Sequence, residues 1–396
     1  SSGLIYLTKY RKEDSRSMRF LYVAHRYHTN QVPIMKGLRE HGHEVCFISH
    51  YQGKLEDYSD VTPVFAGYSK VFCAVNWIYV HVLQRKNSKA CDMRLKYGFP
   101  SMGKIRKIVS GFRPDLMIIR ERSVYSIFTC LACKGLKIPM ILYNQSPLWE
   151  DEIKNDLPHR IVKGLLPKIR ITPVLGVEGK NKVKEPGAVF VPFVMEPRLS
   201  PEQKEWFQKG KINLLCVGKY EERKNIRMLL EVFLKLADRY DLSLTVTGEC
   251  ADHFEKEYKR KLEAFLLESG LGERVRLLEN LTYRQMEELY ASADLFVLPS
   301  TREPASVSQL EAMSFSVPAI CSNTNGTACY IEEGRNGYLF QDNSKEDFYE
   351  AVLKCVSSKE HLKEMGKNSY EDIKEKCGFD IYYEKLMGCM EKVAYD

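Results

Sequence analysis

The sequence lacks any apolar run approaching the roughly 18 residues that a membrane-spanning helix needs, so no segment is expected to cross a bilayer. It also lacks the paired cysteine spacings of a secreted disulfide framework. The 12 cysteines are scattered singly through apparent strands and helices, which points to a reducing compartment. The one C-x-x-C, Cys130 to Cys133, lies in the apolar stretch IFTCLACKGL and is expected to pack rather than to hold metal. No internal repeat and no low-complexity tract interrupts the chain. Residues 1–17 have no apolar core of a signal sequence and are read as a tail, with Met18 opening the fold. Histidine is scarce in the second half, where only His253 and His361 occur, both in charged helical stretches.

What is present is enough for two cores. The chain has 396 residues, 44% hydrophobic and 28% charged, and two domains are expected at 18–196 and 197–379, with 380–396 as a closing helix. Charge divides along nearly the same line. Residues 1–199 hold 32 Lys and Arg against 17 Asp and Glu, a balance of +15, whereas residues 200–396 hold 27 against 35, a balance of −8. Much of the excess lies in KIRK at 104–107 and HRIVKGLLPKIR at 159–170, where basic and apolar residues interleave. Such a pattern suits an anionic membrane surface or another polyanion, and equally an ordinary solvated face.

Strand-like runs alternate with amphipathic helical segments throughout, the pattern of parallel sheets with crossover helices. In the first half the strands are read at 19–25, 44–50, 115–120, 139–145 and 188–193, with a helix over 31–42 closed by Gly42. After a polar stretch at 196–211 that suits a linker, a second doubly wound pattern follows, with strands at 212–218, 242–248, 275–279, 294–300 and 318–322. A helix begins near 305, and the segment after Asp380 reads as the last helix.

In open α/β sheets ligands bind beyond the carboxyl ends of the strands, so the residues that follow each strand carry the information. In GKYEERKN, Gly218 permits a tight exit while Lys219 and Lys224 can both reach a phosphate beside the positive end of a helix. In STREPASVSQLEAM, Glu303 lies in the loop after a buried strand, and Pro304 to Ser306 read as a helix start whose free amides would face a phosphate or a sugar hydroxyl. Glu311 follows eight positions later, a little over two helical turns, so both carboxylates can line one edge of a cleft. The third place is Asn323 to Thr327, a polar loop after the strand PAICS and ahead of EEGRNGYLF. Read singly, each has a bland explanation: a solvated turn, a carboxylate at a helix dipole, ordinary turn chemistry.

Together, in this order, these motifs resemble the retaining glycosyltransferases of family 4, over about residues 212–345. The resemblance implies an α/β fold of the GT-B type: two Rossmann-like doubly wound domains facing a central cleft, with the C-terminal helix crossing back to the first. It implies that Lys219 and Lys224 bind the donor diphosphate, with Gly218 at the turn. Glu303 would contact the donor sugar and Glu311 the ribose. The amides of Ala305, Ser306 and Val307 would meet the distal phosphate or the sugar, and the segment from Leu278 to Leu281 would border the base. Cleavage of an anomeric bond to a diphosphate puts positive charge on the sugar and negative charge on the leaving group, which cations and helix amides stabilise. No metal and no cofactor is implied; a nucleotide diphosphate sugar, UDP- or GDP-linked, is the co-substrate. The leaving phosphate would take the acceptor's proton, so the two carboxylates are not a glycosidase pair.

The first half departs from that pattern. Where such enzymes commonly have a glycine-rich loop after the first strand, this chain has His25-Arg26-Tyr27-His28-Thr29-Asn30. Where many carry a histidine after the fourth strand, it has Gln145, within Tyr143 to Ser146. Either Gln145 meets the donor sugar, as a catalytic residue beside Glu303 and Lys224, or the counterpart lies elsewhere, at Arg120 or Glu121. His25, His28, Asn30 and Arg120 are the acceptor-side candidates, although His25 and His28 also suit ordinary loop positions. The expected partners are a nucleotide sugar, a saccharide or lipid-linked acceptor and an anionic membrane surface met by the basic domain, with no nucleic acid. A cytoplasmic enzyme, peripheral at the inner membrane face, is the expectation. Two other readings remain open: a sugar-nucleotide isomerase of the non-hydrolysing epimerase kind, and a catalytically silent carbohydrate-binding relative.

Overall fold

The computed structural model describes residues 16–52, 58–83, 93–120, 123–145, 156–177 and 187–394. The expectations that touch Glu121, Ser146 and most of the first 17 residues fall outside these. The first half runs β1 (Arg19–Ala24), α1 (Val32–Glu40), β2 (Glu44–Ser49), β3 (Val64–Phe65), α2 (Lys70–Ile78), α3 (Met93–Tyr97), α4 (Met102–Phe112), β4 (Leu116–Arg120), α5 (Val124–Cys133), β5 (Met140–Tyr143), α6 (Leu157–Leu165), β6 (Arg170–Thr172) and β7 (Ala188–Phe190). Its strands lie in the order β3-β2-β1-β4-β5-β6-β7. The chain clusters into two compact units, one of residues 1–143, 160–169 and 389–396, the other of 144–159 and 170–388.

The second half runs β8 (Ile212–Val217), α7 (Ile226–Ala237), β9 (Leu242–Gly248), α8 (His253–Ser269), β10 (Val275–Glu279), α9 (Tyr283–Ser292), β11 (Leu295–Leu298), α10 (Val307–Ser314), β12 (Ala319–Ser322), β13 (Gly337–Phe340), α11 (Lys345–Val356), α12 (Lys359–Lys376) and α13 (Phe379–Ala394). Its sheet is parallel, in the order β10-β9-β8-β11-β12-β13. Alternation along the strands explains why helices cover both faces. Leu214, Cys216, Val246 and Val297 pack with α7, α8 and α11 on one side. Leu215, Phe296, Leu298 and Cys321 pack with α9 and α10 on the other. This is a Rossmann-like sheet, and the first is built the same way, with Leu21, Val23, Met117 and Ile119 buried among residues of α4 and α5.

Local chemistry sets the helix ends. Asp252 accepts from the Glu255 amide while Glu255 accepts from the Asp252 amide, and Gly270 closes α8 at φ 70°. Cys130 and Cys133 lie buried on α5, and every described cysteine is free.

Several strands are shorter than their sequence patterns. β1, β2 and β5 end at Ala24, Ser49 and Tyr143, ahead of the polar residues His25, His50 and Asn144, although the His50 and Asn144 amides still donate to the carbonyls of Ala24 and Ile171 on neighbouring strands. The pattern at 188–193 yields pairing only at 188–190, and α10 begins at Val307, two residues later than expected, with Ser306 as its cap. β3, β6 and β13 were not anticipated: two have three residues or fewer, and β13 follows a glycine turn that reads as loop. The polar stretch at 196–211 is not a free linker. Lys204, 5% exposed, sends its ammonium to the carbonyls of Ala291 at 3.0 Å and Phe315 at 3.2 Å, at the ends of α9 and α10.

Candidate functional site

In the second sheet the strand order reverses between β8 and β11, and ligands bind at the carboxyl ends of strands flanking such a reversal. The loops after β8, β11 and β12 therefore leave neighbouring strands at the same edge. They are tied together by their backbones. The Thr301 amide donates to the Arg223 carbonyl at 2.9 Å, and the Gly326 amide donates to the Glu303 carbonyl, also at 2.9 Å. The hydroxyl of Ser322 donates to the Ser300 carbonyl at 2.9 Å, and the Arg302 amide to Thr324 Oγ1 at 3.0 Å. Arg302 takes a left-handed backbone at φ 50°, an uncommon conformation for a residue other than glycine, at the bend that leads into Glu303.

Glu303 is 8% exposed and Lys224 9%, and they form an ion pair of 2.5 Å between Nζ and Oε2. Arg223 donates to the same oxygen at 2.8 Å and, with its other nitrogen, to Glu221 at 2.8 Å. A buried carboxylate between two cations is a strong charge-assisted contact and needs both partners to stay buried. Lys219 is turned the other way, with its ammonium 2.9 Å from Glu249 and 3.6 Å from Glu255. Gly218 is hemmed in. A Cβ there would meet the Lys224 side chain at 3.1 Å, and one on Gly248 would lie 2.0 Å from the Gly218 carbonyl. Only glycine at 248 lets the ends of β8 and β9 approach so closely.

At the start of α10 the Ser306 hydroxyl accepts from the Gln309 amide at 3.3 Å. The amides of Ala305, Ser306 and Val307 meet no protein acceptor among the described residues. One turn on, Gln309 is fully buried. Its oxygen accepts from Asn325 and Thr327 at 3.0 Å each, and its nitrogen donates to the Thr327 carbonyl at 3.0 Å. Glu311 faces away from Glu303's partners and accepts the Tyr290 hydroxyl at 2.7 Å. Burial raises the Glu311 carboxyl above the ordinary carboxylate range, opposed by that hydrogen bond and by Arg198. Leu278 offers its carbonyl to the Tyr220 hydroxyl at 2.6 Å, and Leu281 lies half-buried beyond β10.

The structure thus brings Lys224 and Glu303 together, beside the open amides of residues 305–307, and sends Lys219 and Glu311 to partners of their own. Sequence reasoning missed Arg223, Gln309 and Tyr290. The charged run EERK carries the signal for Arg223. Nothing local marks Gln309 or Tyr290, whose partners come from other elements.

In the first unit the order likewise reverses, between β1 and β4. His25 follows β1, with its Nδ1 3.0 Å from Nδ1 of His50, which follows β2. The His50 ring stacks on Tyr125 with centroids 3.4 Å apart. Arg26 lies against His28, with its Nε 3.1 Å from the ring Nε2. Asn30 sits half-buried in a short turn at Thr29–Gln31, and Arg120 ends β4. Gln145 is the second residue after β5. The KIRK segment lies in α4, where Lys104 donates to the carbonyls of Phe65 and Ala66, and Arg106 to those of Ala132 and Lys134. Those two cations are engaged with backbone carbonyls. Among the described residues no group of three or more His, Cys, Asp or Glu is arranged to hold a metal ion. No described helix is long and apolar enough to cross a membrane.

Residues 200–372 match the family of glycosyl transferases group 1. The spore coat protein SA of Bacillus subtilis (strain 168) is 27% identical over 188 residues, 46% of this chain and 49% of that protein. The chain spans about half the length of the curated relatives it matches. Among solved structures, a glycosyltransferase from Rickettsia africae ESF-5 superposes with a TM-score of 0.72 at 15% identity, over 96% of this chain and 99% of that one. Anabaena Alr3699/HepE in complex with UDP-glucose superposes with a TM-score of 0.67 at 12% identity, over 96% and 100%. At such identities these structures share the fold. Residues 200–372 are thus similar to the glycosyl transferases group 1, and the chain has the two Rossmann-like sheets of a GT-B fold.

Proposed function

We propose that the protein is a retaining, metal-independent glycosyltransferase that moves a hexose-type sugar from a nucleotide diphosphate, UDP or GDP, to a saccharide, lipid-linked or other hydroxyl acceptor. The observation that carries this reading is the Lys224–Glu303–Arg223 cluster at the strand-order reversal, beside the unoccupied amides of residues 305–307. Lys224 and those amides take the diphosphate, where charge grows as the anomeric bond breaks. Glu303 holds the sugar hydroxyls, and Glu311, oriented by Tyr290, holds the ribose. Lys219 joins the diphosphate by exchanging its contacts with Glu249 and Glu255 for a phosphate oxygen. Gly218, Leu278 and Leu281 shape the turn and the border of the base, and Gln145 is the further residue assigned to the reacting sugar.

The working division is 18–196 for the acceptor, 197–379 for the donor and 380–396 as a closing helix. A relative of the same fold solved with UDP-glucose supports a UDP-linked donor. The exposed apolar side chains of Leu157, Ile161 and Leu165, with Arg160 and Lys163 also exposed on α6, support attachment to an anionic membrane surface from the cytoplasmic side.

A thermal-shift panel of UDP-, GDP-, ADP- and TDP-sugars tests the donor, because a ligand bound only by the folded state raises the melting temperature. Stabilisation by one nucleotide series, followed by transfer of its sugar, is the expected result. A flat panel at millimolar donor removes the reading.

A further inference from the structure

Five nitrogen-bearing side chains converge at the carboxyl ends of the central strands of the first sheet: His25 and Arg26 after β1, His28 three positions on, His50 after β2, and Arg120 at the end of β4. His25 and His50 touch through their Nδ1 atoms, and His28 touches Arg26. We propose that His25, His50 and Arg120, flanked by Arg26 and His28, form an anion-binding subsite that holds a phosphate or carboxylate group of the acceptor. The acceptor assignment rests on the transferase reading given above; the affinity for an anion does not.

Position supplies the first argument, since strand-order reversal between β1 and β4 is where open α/β sheets bind ligands. Electrostatics supplies the second. His25 is faced by Arg120 and lies against His50, His28 is faced by Arg26, Arg120 and His25, and His50 by His25 and Arg120. Tyr125 and Tyr68 close the aromatic side of His50. Burial, and then these cations, lower His25 and His28 to about 4 and His50 to about 2. Among the described residues no carboxylate acts to keep any of the three charged.

The histidines are therefore neutral at ordinary pH. Two Nδ1 atoms 3.0 Å apart can share one hydrogen and leave the Nε2 atoms for other partners. An anion placed among these rings and guanidiniums would accept from them and favour the charged imidazole, so anion binding should take up protons. A neutral saccharide gives no such return for gathering two arginines, the half-buried imidazoles of His25 and His28 and the buried imidazole of His50 in one place.

The test uses the full chain labelled at histidine and inorganic sulfate, which keeps its charge between about pH 5 and 8 and so isolates the protein's protonation. In chloride buffer the His25 and His50 imidazole resonances should stay neutral down to acidic pH. Sulfate should raise their midpoints by about one unit, and its affinity should grow as pH falls. Arg120→Gln, checked by an unchanged melting profile, should weaken sulfate about tenfold.

Saturating UDP distinguishes the source of the anion. If sulfate and UDP bind together, the subsite serves the acceptor; if UDP displaces sulfate, it serves the donor diphosphate and the acceptor assignment is overturned. Resonances that ignore sulfate while a nucleotide sugar still binds overturn the subsite alone. A sulfate response without any nucleotide-sugar binding removes the transferase reading, and the acceptor assignment with it.

Discussion

Lys224 Nζ and Glu303 Oε2 lie 2.5 Å apart, and this one contact joins the turn after β8 to the loop after β11 at the edge where both strands end. Arg223 shares the same oxygen, so Glu303 is the counter-ion of two cations before any ligand arrives. The two ends of the pair are expected to respond differently to substitution.

Glu303→Ala should lower transfer by about 100-fold or more, the scale of losing one electrostatic contact at a reacting centre. Nucleotide diphosphate affinity should hold or rise, because Lys224 and Arg223 lose a competing carboxylate. Lys224→Ala should weaken the nucleotide diphosphate itself by about tenfold, while Arg223 still pairs with Glu303. Calorimetric titration of UDP beside a steady-state assay separates the two; transfer by Glu303→Ala at the parent rate would show that the site is misplaced.

Tyr290→Phe leaves the partly buried Glu311 without its hydroxyl donor. A lost hydrogen bond to a charged group is worth about 1.5–3 kcal/mol. The variant should raise KM for the donor about tenfold with kcat nearly kept, since the ribose lies away from the breaking bond. A fall in kcat at unchanged KM would place Glu311 at the chemistry instead.

Gly248→Ala tests backbone geometry without touching charge. The added methyl would lie 2.0 Å from the Gly218 carbonyl, so β8 and β9 must part. Overpacking of this kind costs about 1–3 kcal/mol. Denaturant melts should show that loss, and nucleotide affinity should fall with it because the turn holding Lys224 moves. Parent-like stability would mean that the strand ends are looser than described.

The histidine cluster sets a pH dependence of the first unit. A base whose folded pKa is depressed contributes stability that is fully present above its unfolded pKa and is lost as pH falls toward the folded one. For His25 and His28 that window runs from the ordinary 6.5 down to about 4. Each neutral imidazole should therefore lower stability by up to about 1.4 kcal/mol per pH unit through the window. Melting temperature against pH should bend below pH 6.5, and His25→Gln should reduce the bend.

Much of this was legible in the chain itself, for identifiable reasons. The strands β8, β9, β11 and β12 are buried apolar runs ending in glycine, proline or polar loops, and β10 at the sheet edge is a mixed run with Val275 buried, so both their existence and the residues after them could be read. Lys224 and Glu303 could be named as site candidates from those loops. Their direct contact could not, because it depends on the bend at Arg302, which takes a conformation its side chain does not advertise. Lys219 and Glu249 illustrate the same limit: nothing in GKYEERKN shows that Lys219 pairs with an acid from the next loop. β3 and β6, at two and three residues, are too short for any period to register.

Lys204 changes how the second half should be cut out for separate study. Its ammonium closes the last carbonyls of α9 and α10, and Trp206 donates to the Pro201 carbonyl at 3.0 Å just beside it. A fragment begun at Ile212, where the first strand starts, would leave two helix ends open and an apolar seam uncovered. A version for separate study should therefore begin no later than the residues ahead of Pro201, so the stretch that looks like a tether belongs to the body it was expected to connect.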